Sequence, residues 1–350
     1  MTKPIASIVV PCRNAAKTVD AALASVLASS LREMEILAVD DGSADETADV
    51  LARWAARDER VTVLHTGGRG VSAARNAALA AARGEFVFFV DADDTVEPEF
   101  FPRAIDAMRR DGADYCRVAY DEISATTGER RVFPLKRDYR FASNAEIVER
   151  FVPCFYGYSF AQVQAWYRGT PLFSGREMGT VWSGAFRLDL IRANGIRFDE
   201  TIEINEDAIF LCAYLLACRR TTTVNEVLYH YTSSPTGSLR TKSASPRFFA
   251  NKERMLAARR RLDRASGGRL TAHYQASCVF SLLEILSAAF RFKGCFRCGL
   301  AAFRRYGRDP DVRAALRTFP LSGRKPVLAV AVLFCRLFFP SRTGEQFLIK

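Results

Sequence analysis

The sequence lacks the cysteine patterns that build a disulfide framework or a zinc centre. Its nine cysteines are scattered over 350 residues. The one close pair, Cys295 and Cys298, has no second pair at zinc spacing, so we expect the thiols to pack in a reduced interior. Internal repeats and low-complexity tracts are also missing, and the composition is that of an ordinary globular protein.

Long apolar runs are missing as well. The longest one in the C-terminal part begins at Pro326, is too short to span a bilayer and contains Arg336. The first residues, MTKPIASIVVPCRN, have neither the long apolar core nor the cleavage site of a signal peptide. We therefore expect a cytoplasmic protein.

Negative charge is scarce in the last third of the chain. Residues 242–350 contain 22 Lys and Arg against 6 Asp and Glu, whereas residues 1–241 contain 28 against 33. A near-neutral body with a basic C-terminal part predicts an anionic partner, either a membrane surface or a nucleic acid. The basic part has no interleaved nucleic-acid-binding motif, which argues against nucleic acid. A helical cap with a solvated basic face is the remaining interpretation.

Apolar runs and helical periodicity alternate in the N-terminal part. Apolar, β-branched runs predict strands at Ser7–Pro11, Glu35–Val39, Val61–His65 and Glu85–Asp91. Helical spacing predicts helices from Thr18, over Asp45–Arg57 and over Ser72–Arg83. This alternation indicates an α/β protein with an open, mostly parallel sheet, in which ligands bind at the carboxyl ends of the strands. Residues 121–174 show no pattern that assigns their structure.

Three carboxylates follow the fourth predicted strand, in FFVDADDTVEP. Asp91 and Asp93, two positions apart at a strand end, suit a hard cation such as Mg²⁺ or Mn²⁺. A bound cation would relieve their repulsion and neutralise a phosphate leaving group. The alternative is a solvated turn in which Asp94 or Thr95 caps the helix after Pro98. Spacing alone leaves both interpretations open.

Other polar positions also have two interpretations each. Asp41, in VDDGSADET, is either an acceptor for a base or ribose group or part of a capped turn. Arg13 and Asn14 either face a base and its ribose or form an ordinary polar loop. Asp207 is either a general base or an acid placed favourably at a helix N-terminus.

The order of these motifs resembles that of the family-2 glycosyltransferases, bacterial enzymes of polysaccharide and lipopolysaccharide assembly with the GT-A fold. The resemblance is carried by SIVVPCRNAAKTVDAALASVLASSLREMEILAVDDGSADET, RGVSAARNAALAAARGEFVFFVDADDTVEP and IRFDETIEINEDAIF. It is dense from Ser7 to Pro98, resumes at Trp182–Phe210 and fades after Ser238. It implies a GT-A catalytic domain over residues 1–240, with a mostly parallel Rossmann-like sheet flanked by helices, followed by a basic, mainly helical region over residues 241–350.

The resemblance implies a single displacement that inverts the anomeric carbon. The donor would be a nucleoside diphosphate sugar, with UDP favoured, and the acceptor a glycan or lipid-linked saccharide. Position by position, Pro11 and Asn14 belong to the first donor loop, in which Arg13 also lies as a candidate donor-binding residue, and Asp41 contacts the nucleobase. Asp93 becomes the principal ligand of Mg²⁺ or Mn²⁺, with Asp91 nearer the ribose.

The remaining matched positions concern the catalytic base and the donor pocket. Asp207 corresponds to the catalytic base of the family's E-D motif, and Arg75 and Asn76 match its A-R-N motif, which shapes the donor pocket. The family commonly has an aromatic residue where Arg13 stands and Lys where Gly184 stands. Because of these departures, the resemblance defines the nucleobase of the donor and the contacts with the acceptor less closely.

Two functions are therefore expected. The first is a metal-dependent glycosyltransferase attached peripherally to the inner face of the cell membrane, without a nucleic-acid partner. The alternative is a non-catalytic protein that binds nucleotide sugars.

Overall fold

Continuous apolar runs form the centre of a β-sheet. The strands β1 (Ala6–Cys12), β2 (Met34–Asp40) and β4 (Phe86–Phe89) are buried over nearly their whole length, as expected where helices cover both faces of a sheet. A computed structural model describes residues 3–135, 137–167, 179–234, 247–292 and 294–319, together with 332, 333 and 335.

Six further strands complete the sheet within the described residues. They are β3 (Val61–His65), β5 (Thr95–Val96), β6 (Tyr115–Ser124), β7 (Arg130–Phe133), β8 (Gly184–Arg187) and β9 (Thr221–Ser233). The order is β3-β2-β1-β4-β8-β6-β9-β5, with β7 paired to β6. The strands β1 to β4 pair in parallel, and β9 is parallel to β6. Because β8 runs antiparallel between β4 and β6, the second half of the sheet is mixed.

Helices connect the strands, and the first three follow the predicted periodicity. The first four are α1 (Val19–Leu27), α2 (Thr47–Arg57), α3 (Val71–Ala81) and α4 (Phe100–Asp111). Their apolar faces pack on the sheet, and Phe100 and Phe101 of α4 meet the ring of Phe88 edge to face at 5.4 and 5.0 Å. The predicted α/β class with flanking helices is confirmed.

The segment without a sequence assignment is mostly short helices. After β7 come α5 (Asn144–Glu146), a π-helical turn (Ile147–Phe151), α6 (Pro153–Tyr156) and α7 (Phe160–Tyr167). Residues 168–174 of that segment lie outside the described residues. Two further helices, α8 (Leu188–Ala193) and α9 (Glu206–Ala217), follow β8.

Gly184 lies against a buried tyrosine. A Cβ atom built on Gly184 would lie 2.6 Å from the ring and from the hydroxyl of Tyr115, which is fully buried. Even an alanine would therefore require Tyr115 to move. In this chain Tyr115 occupies the space that a side chain at position 184 would need.

The C-terminal part is helical. It contains α10 (Arg247–Ala265), α11 (Thr271–Arg291), α12 (Phe296–Gly307) and α13 (Pro310–Thr318). Among the helices of the described residues, none combines the length and apolar character needed to cross a bilayer. The apolar run from Pro326 lies almost wholly outside the described residues.

The chain divides into two compact units. The first comprises residues 1–155 with 177–240, and the second comprises residues 156–176 with 241–350. The assignment of catalysis to residues 1–240 stays a prediction.

Candidate active site

Hydrogen bonds join the loops that follow β1 and β2. Pro11 is paired with Val39 in the parallel register of the two strands. Beyond them, the backbone N–H of Asn14 donates to Oγ of Ser43 at 3.0 Å, and the N–H of Ala44 donates to Oδ1 of Asn14 at 2.8 Å. Asn14 has a left-handed backbone with φ 50°, which asparagine tolerates better than most residues. The predicted first donor loop is thus held against the VDDGS loop.

Asp41 is buried and already has partners within the protein. Oγ1 of Thr66 donates to its Oδ1 and the N–H of Gly70 to its Oδ2, both at 2.8 Å. Nη1 of Arg13, a largely exposed side chain, lies 3.6 Å from the same Oδ2. Because a carboxylate oxygen can accept a second hydrogen bond, Asp41 keeps the capacity to bind a donor group.

Asp91 and Asp93 have different surroundings. Oδ1 of Asp91 accepts a hydrogen bond from Nη2 of Arg75 at 2.9 Å. Asp93 is exposed, and within the described residues its carboxylate makes no hydrogen bond or ion pair with another residue. Partial desolvation by the surrounding protein, together with the charge of Asp91, raises the pKa of Asp93 to about 6. A cation would stabilise such a carboxylate.

Asp94 is buried and does not cap a helix. Its Oδ2 accepts from the hydroxyl of Tyr229 at 2.6 Å and its Oδ1 from the N–H of Thr232 at 2.7 Å. The Tyr229 oxygen also accepts from the N–H of Asp91 at 3.2 Å. The alternative interpretation of a cap on α4 is wrong, because the pairing of β9 with β5 brings Tyr229 to the carboxylate, and α4 starts later without a side-chain capping bond.

Arg75 is a buried cation among three carboxylates. Its Nη1 lies 2.5 Å from Oδ1 of Asp207 and 3.5 Å from Oε1 of Glu206, while Nη2 contacts Asp91. The guanidinium also lies over the ring of Phe198, at 5.3 Å from its centroid. Burial alone would lower the pKa of Arg75, but the carboxylate charges outweigh it and raise that pKa above its ordinary value. Arg75 thus stays charged and links the D-x-D motif to the E-D motif.

Asp207 lies in the first turn of α9. Burial raises its pKa most, Arg75 opposes the rise, and the charges of Glu206 and Asp91 add to it, so that the pKa of Asp207 reaches about 7. A carboxylate that titrates near neutral pH can take a proton from a hydroxyl group and release it again. The arrangement is therefore chemically suited to a general base.

Asn76 is directed at the segment that leads into α9. Its Nδ2 donates to the carbonyl of Phe198 at 3.0 Å and to Oε1 of Glu200 at 3.1 Å, and its Oδ1 accepts from the N–H of Phe198 at 2.9 Å. Both Nδ2 hydrogens and one lone pair of the oxygen are thereby used. Asn76 fixes the backbone beside Arg75, and a direct contact with the donor stays a prediction.

Two carboxylates of this site fit a divalent cation. Among the described residues no other side chain or backbone group pairs with the Asp93 carboxylate, and Asp91 uses only Oδ1 for Arg75. Across the described part of the chain, no group of three or more His, Cys, Asp or Glu side chains is arranged for a metal ion. Mg²⁺ typically binds through one or two carboxylates and completes its shell with water and substrate phosphates. The pair therefore fits a cation that shares its ligands with a diphosphate.

Three residues at the site were missed by sequence reasoning. Thr66 and Gly70 hold Asp41, and the glycine-rich segment TGGRG that contains them was a visible signal. Gly42 lets its loop pack closely on this segment, since a Cβ on Gly42 would lie 2.8 Å from the backbone nitrogen of Gly68. Tyr229 had no local signal, because it reaches Asp94 across 135 residues of sequence.

Comparison with known sequences agrees with the motifs. Residues 7–164 match the family described as Glycosyl transferase family 2, which confirms the resemblance. The uncharacterized glycosyltransferase EpsJ of Bacillus subtilis is 28% identical over 234 residues, covering 66% of this chain and 62% of EpsJ. The succinoglycan biosynthesis protein ExoO of Rhizobium meliloti is 31% identical over 216 residues, covering 61% of this chain and 56% of ExoO. The matched part of the chain thus spans about three fifths of the length of these relatives.

Solved structures agree with the fold. The structure of S. aureus TarS 1–349 in complex with UDP-GlcNAc has a TM-score of 0.64 at 18% identity, covering 93% of this chain and 87% of that chain. The same fragment in complex with UDP has a TM-score of 0.62, also at 18% identity, covering 95% and 88%. At this identity the likeness concerns the fold, and it confirms the expected GT-A class.

Proposed function

We propose that the protein transfers a sugar from a nucleoside diphosphate sugar to a hydroxyl group, a reaction supported by the match of residues 7–164 to glycosyl transferase family 2. The observation that carries the proposal is the bridge that Arg75 makes between Asp91 of the D-x-D motif and Asp207 of the E-D motif. The carboxylates that bind the donor and the catalytic base would then lie in one site.

The favoured donor is a UDP-sugar, the class with which TarS was crystallised. The acceptor is a glycan or lipid-linked saccharide of bacterial cell-surface polysaccharide assembly, and the similarity to a succinoglycan biosynthesis protein supports that setting. Asp41 would accept a hydrogen bond from the base, with Arg13 beside it, while Pro11 and Asn14 shape the loop between them.

Asp207 would act as the base of a single displacement. Its carboxylate takes the proton of the acceptor hydroxyl while that oxygen bonds to the anomeric carbon from the face opposite the leaving group. The bond from this carbon to the diphosphate oxygen breaks, the nucleoside diphosphate leaves with the electron pair, and the configuration inverts. The pKa of Asp207, about 7, suits this role at neutral pH, and Arg75 holds the carboxylate in place.

Asp93 and Asp91 would hold Mg²⁺ or Mn²⁺. When bound, the cation supplies charge neutralisation for the diphosphate leaving group. Asp93 offers both of its oxygens, and Asp91 offers Oδ2 while its Oδ1 stays with Arg75.

A non-catalytic protein that binds nucleotide sugars is the second candidate. It is favoured by the contact between Arg75 and Asp207, because a carboxylate that is paired with a guanidinium is a weaker proton acceptor. The two candidates differ only in turnover.

The deciding experiment supplies purified protein with a panel of nucleoside diphosphate sugars and Mn²⁺, and follows nucleoside diphosphate release and sugar transfer. We expect turnover with at least one donor, lost on Asp93→Ala. Calorimetric binding of a donor without release of nucleoside diphosphate, in the presence of saccharide acceptors, would instead support the binding protein.

A further inference from the structure

Two phenylalanines are exposed where α11 ends and α12 begins. The side chains of Phe290 and Phe296 are 69% and 48% exposed, and their rings meet edge to face with centroids 5.3 Å apart. Among the described residues, the other large apolar side chains that are exposed are Val132 and Leu333. Single exposed apolar residues are common on soluble proteins, but an adjacent aromatic pair is a feature of contact surfaces.

The chain around this pair carries charge of one sign. Residues 285–308 contain six Lys and Arg and no Asp or Glu. Arg291 follows Phe290 and donates to Oγ of Ser287 at 3.0 Å, and Arg297 follows Phe296. Within the described residues neither arginine has a carboxylate partner, so their charges stay available to an outside anion.

The basic surface continues along α12. Arg297, Arg304 and Arg308 are exposed and recur at the spacing of one helical face, while Phe303 and Tyr306 of the same helix are buried. Arg305 differs, because its Nε donates to Oε1 of Glu253 at 3.0 Å. The face formed by Phe290, Arg291, Phe296, Arg297, Arg304 and Arg308 is called the Phe290 surface below.

We propose that the Phe290 surface binds an anionic lipid bilayer. The two rings enter the headgroup region, and the arginines contact lipid phosphates, as in interfacial amphipathic helices that combine aromatic anchors with basic residues. Charge complementarity favours this occupant over a second copy of the chain, because two such cationic surfaces repel each other. The inference stands on the described C-terminal helices and does not depend on the proposed sugar transfer.

Co-sedimentation with vesicles tests the proposal on the full chain. We expect the protein to pellet with vesicles of phosphatidylcholine and phosphatidylglycerol in equal parts and to stay in the supernatant with pure phosphatidylcholine. The variant Arg291→Gln with Arg297→Gln should bind the anionic vesicles more weakly by about fivefold per arginine, and added salt should weaken the binding of the parent protein.

A second variant tests the aromatic pair. Phe290→Ser with Phe296→Ser should reduce partition into anionic vesicles by at least about tenfold. Val132→Ala, which truncates an exposed apolar residue of the first unit, is the matched control and should bind as the parent does. Both variants change exposed side chains, so their thermal unfolding should match that of the parent.

Cys298 offers an independent readout. It is exposed, whereas the other eight cysteines are buried, so an environment-sensitive fluorophore can be attached there, beside Arg297. Its emission should shift to the blue on addition of anionic vesicles.

Three outcomes would overturn the proposal. The first is that the Phe290→Ser/Phe296→Ser variant binds anionic vesicles as well as the parent does. The second is that the protein pellets with vesicles without an emission shift at Cys298. The third is that the parent does not bind vesicles but binds RNA or forms a concentration-dependent dimer, and that the Phe290→Ser/Phe296→Ser variant loses this binding.

Discussion

Nη1 of Arg75 lies 2.5 Å from Oδ1 of Asp207, although 132 residues separate the two in sequence. Because Nη2 of the same guanidinium contacts Asp91, the two carboxylates share one cation. With Glu206 also near, three carboxylates face one guanidinium; burial raises the pKa of Asp207 most, and the negative charges of Glu206 and Asp91 add to the rise that Arg75 opposes. A divalent cation beside Asp91 would reduce the surplus of negative charge, so the donor and base ends of the site are electrostatically coupled.

Replacing the buried guanidinium of Arg75 should destabilise the fold. In Arg75→Met the partly buried carboxylates of Asp207 and Asp91 lose their buried partner, and we expect the free energy of unfolding at neutral pH to fall by about 3 kcal/mol. Urea denaturation measures it. The matched control is Arg103→Met, which breaks an exposed pair with Glu226 and should cost less than about 1 kcal/mol. Equal losses in both variants would contradict a central role for Arg75.

Neutralising the base should separate binding from transfer. Asp207→Asn keeps the shape of the side chain but accepts no proton, so kcat should fall by about a hundredfold or more. Donor affinity, measured by calorimetry with Mn²⁺, should change little, because Asp93 and Asp41 are untouched. Transfer at an undiminished rate would remove Asp207 from the role of base.

The pH dependence of transfer should follow Asp207. A base works when deprotonated, so kcat/KM should rise with pH through the pKa of Asp207, about 7, and level off above it. The charge of Glu206 contributes to that raised pKa, and Glu206→Gln should therefore move the rising limb to lower pH. Glu33→Gln, an exposed carboxylate that is not among the charges acting on Asp207, is the control. A limb that stays in place in Glu206→Gln would point to a different titrating group.

The first half of the sheet could be predicted because its information is local. The strands β1 to β4 are apolar runs, and the helices between them have a clear period, so their bounds lie within a few residues of those expected. The parallel order of β1, β2 and β4 also predicts that the polar groups at their carboxyl ends lie at the same edge of the sheet.

The rest of the site depends on distant partners. The residues next to Asp94 in sequence are compatible with a helix cap, whereas its partners Tyr229 and Thr232 belong to β9, which is distant in sequence. The contacts of Arg75 with three carboxylates could not be predicted for the same reason, since a motif match does not show which carboxylates a side chain contacts. The described residues between 121 and 167 form the end of β6, the short strand β7, short helices and a π-helical turn, and the helices have too few turns to display a period.

Asp93 should control the response of the protein to metal ions. Its raised pKa means that the protonated form favours the fold: this contribution is complete below the ordinary value of 3.8 and is lost as pH rises through about 6. Well above pH 6, Asp93→Asn should therefore stabilise the metal-free protein, by no more than about 1 kcal/mol because the side chain is exposed. Mn²⁺ with a nucleoside diphosphate should raise the Tm of the parent protein and leave that of Asp93→Asn unchanged. An equal rise in both would place the cation elsewhere.

Tyr229 should tune the metal site without touching the metal. Its hydroxyl donates to Asp94 and accepts from the N–H of Asp91, so Tyr229→Phe frees the backbone that carries Asp91 and leaves a buried carboxylate short of one donor. We expect the concentration of Mn²⁺ needed for half-maximal activity to rise by about tenfold, as for other outer-shell partners of metal ligands, with a smaller change in donor KM at saturating metal. Tyr231→Phe is the matched control, because Tyr231 lies on the same strand, is half-buried and makes no hydrogen bond through its hydroxyl within the described residues. If both variants show the same metal dependence as the parent, the contacts of Tyr229 support the fold alone and do not position Asp91.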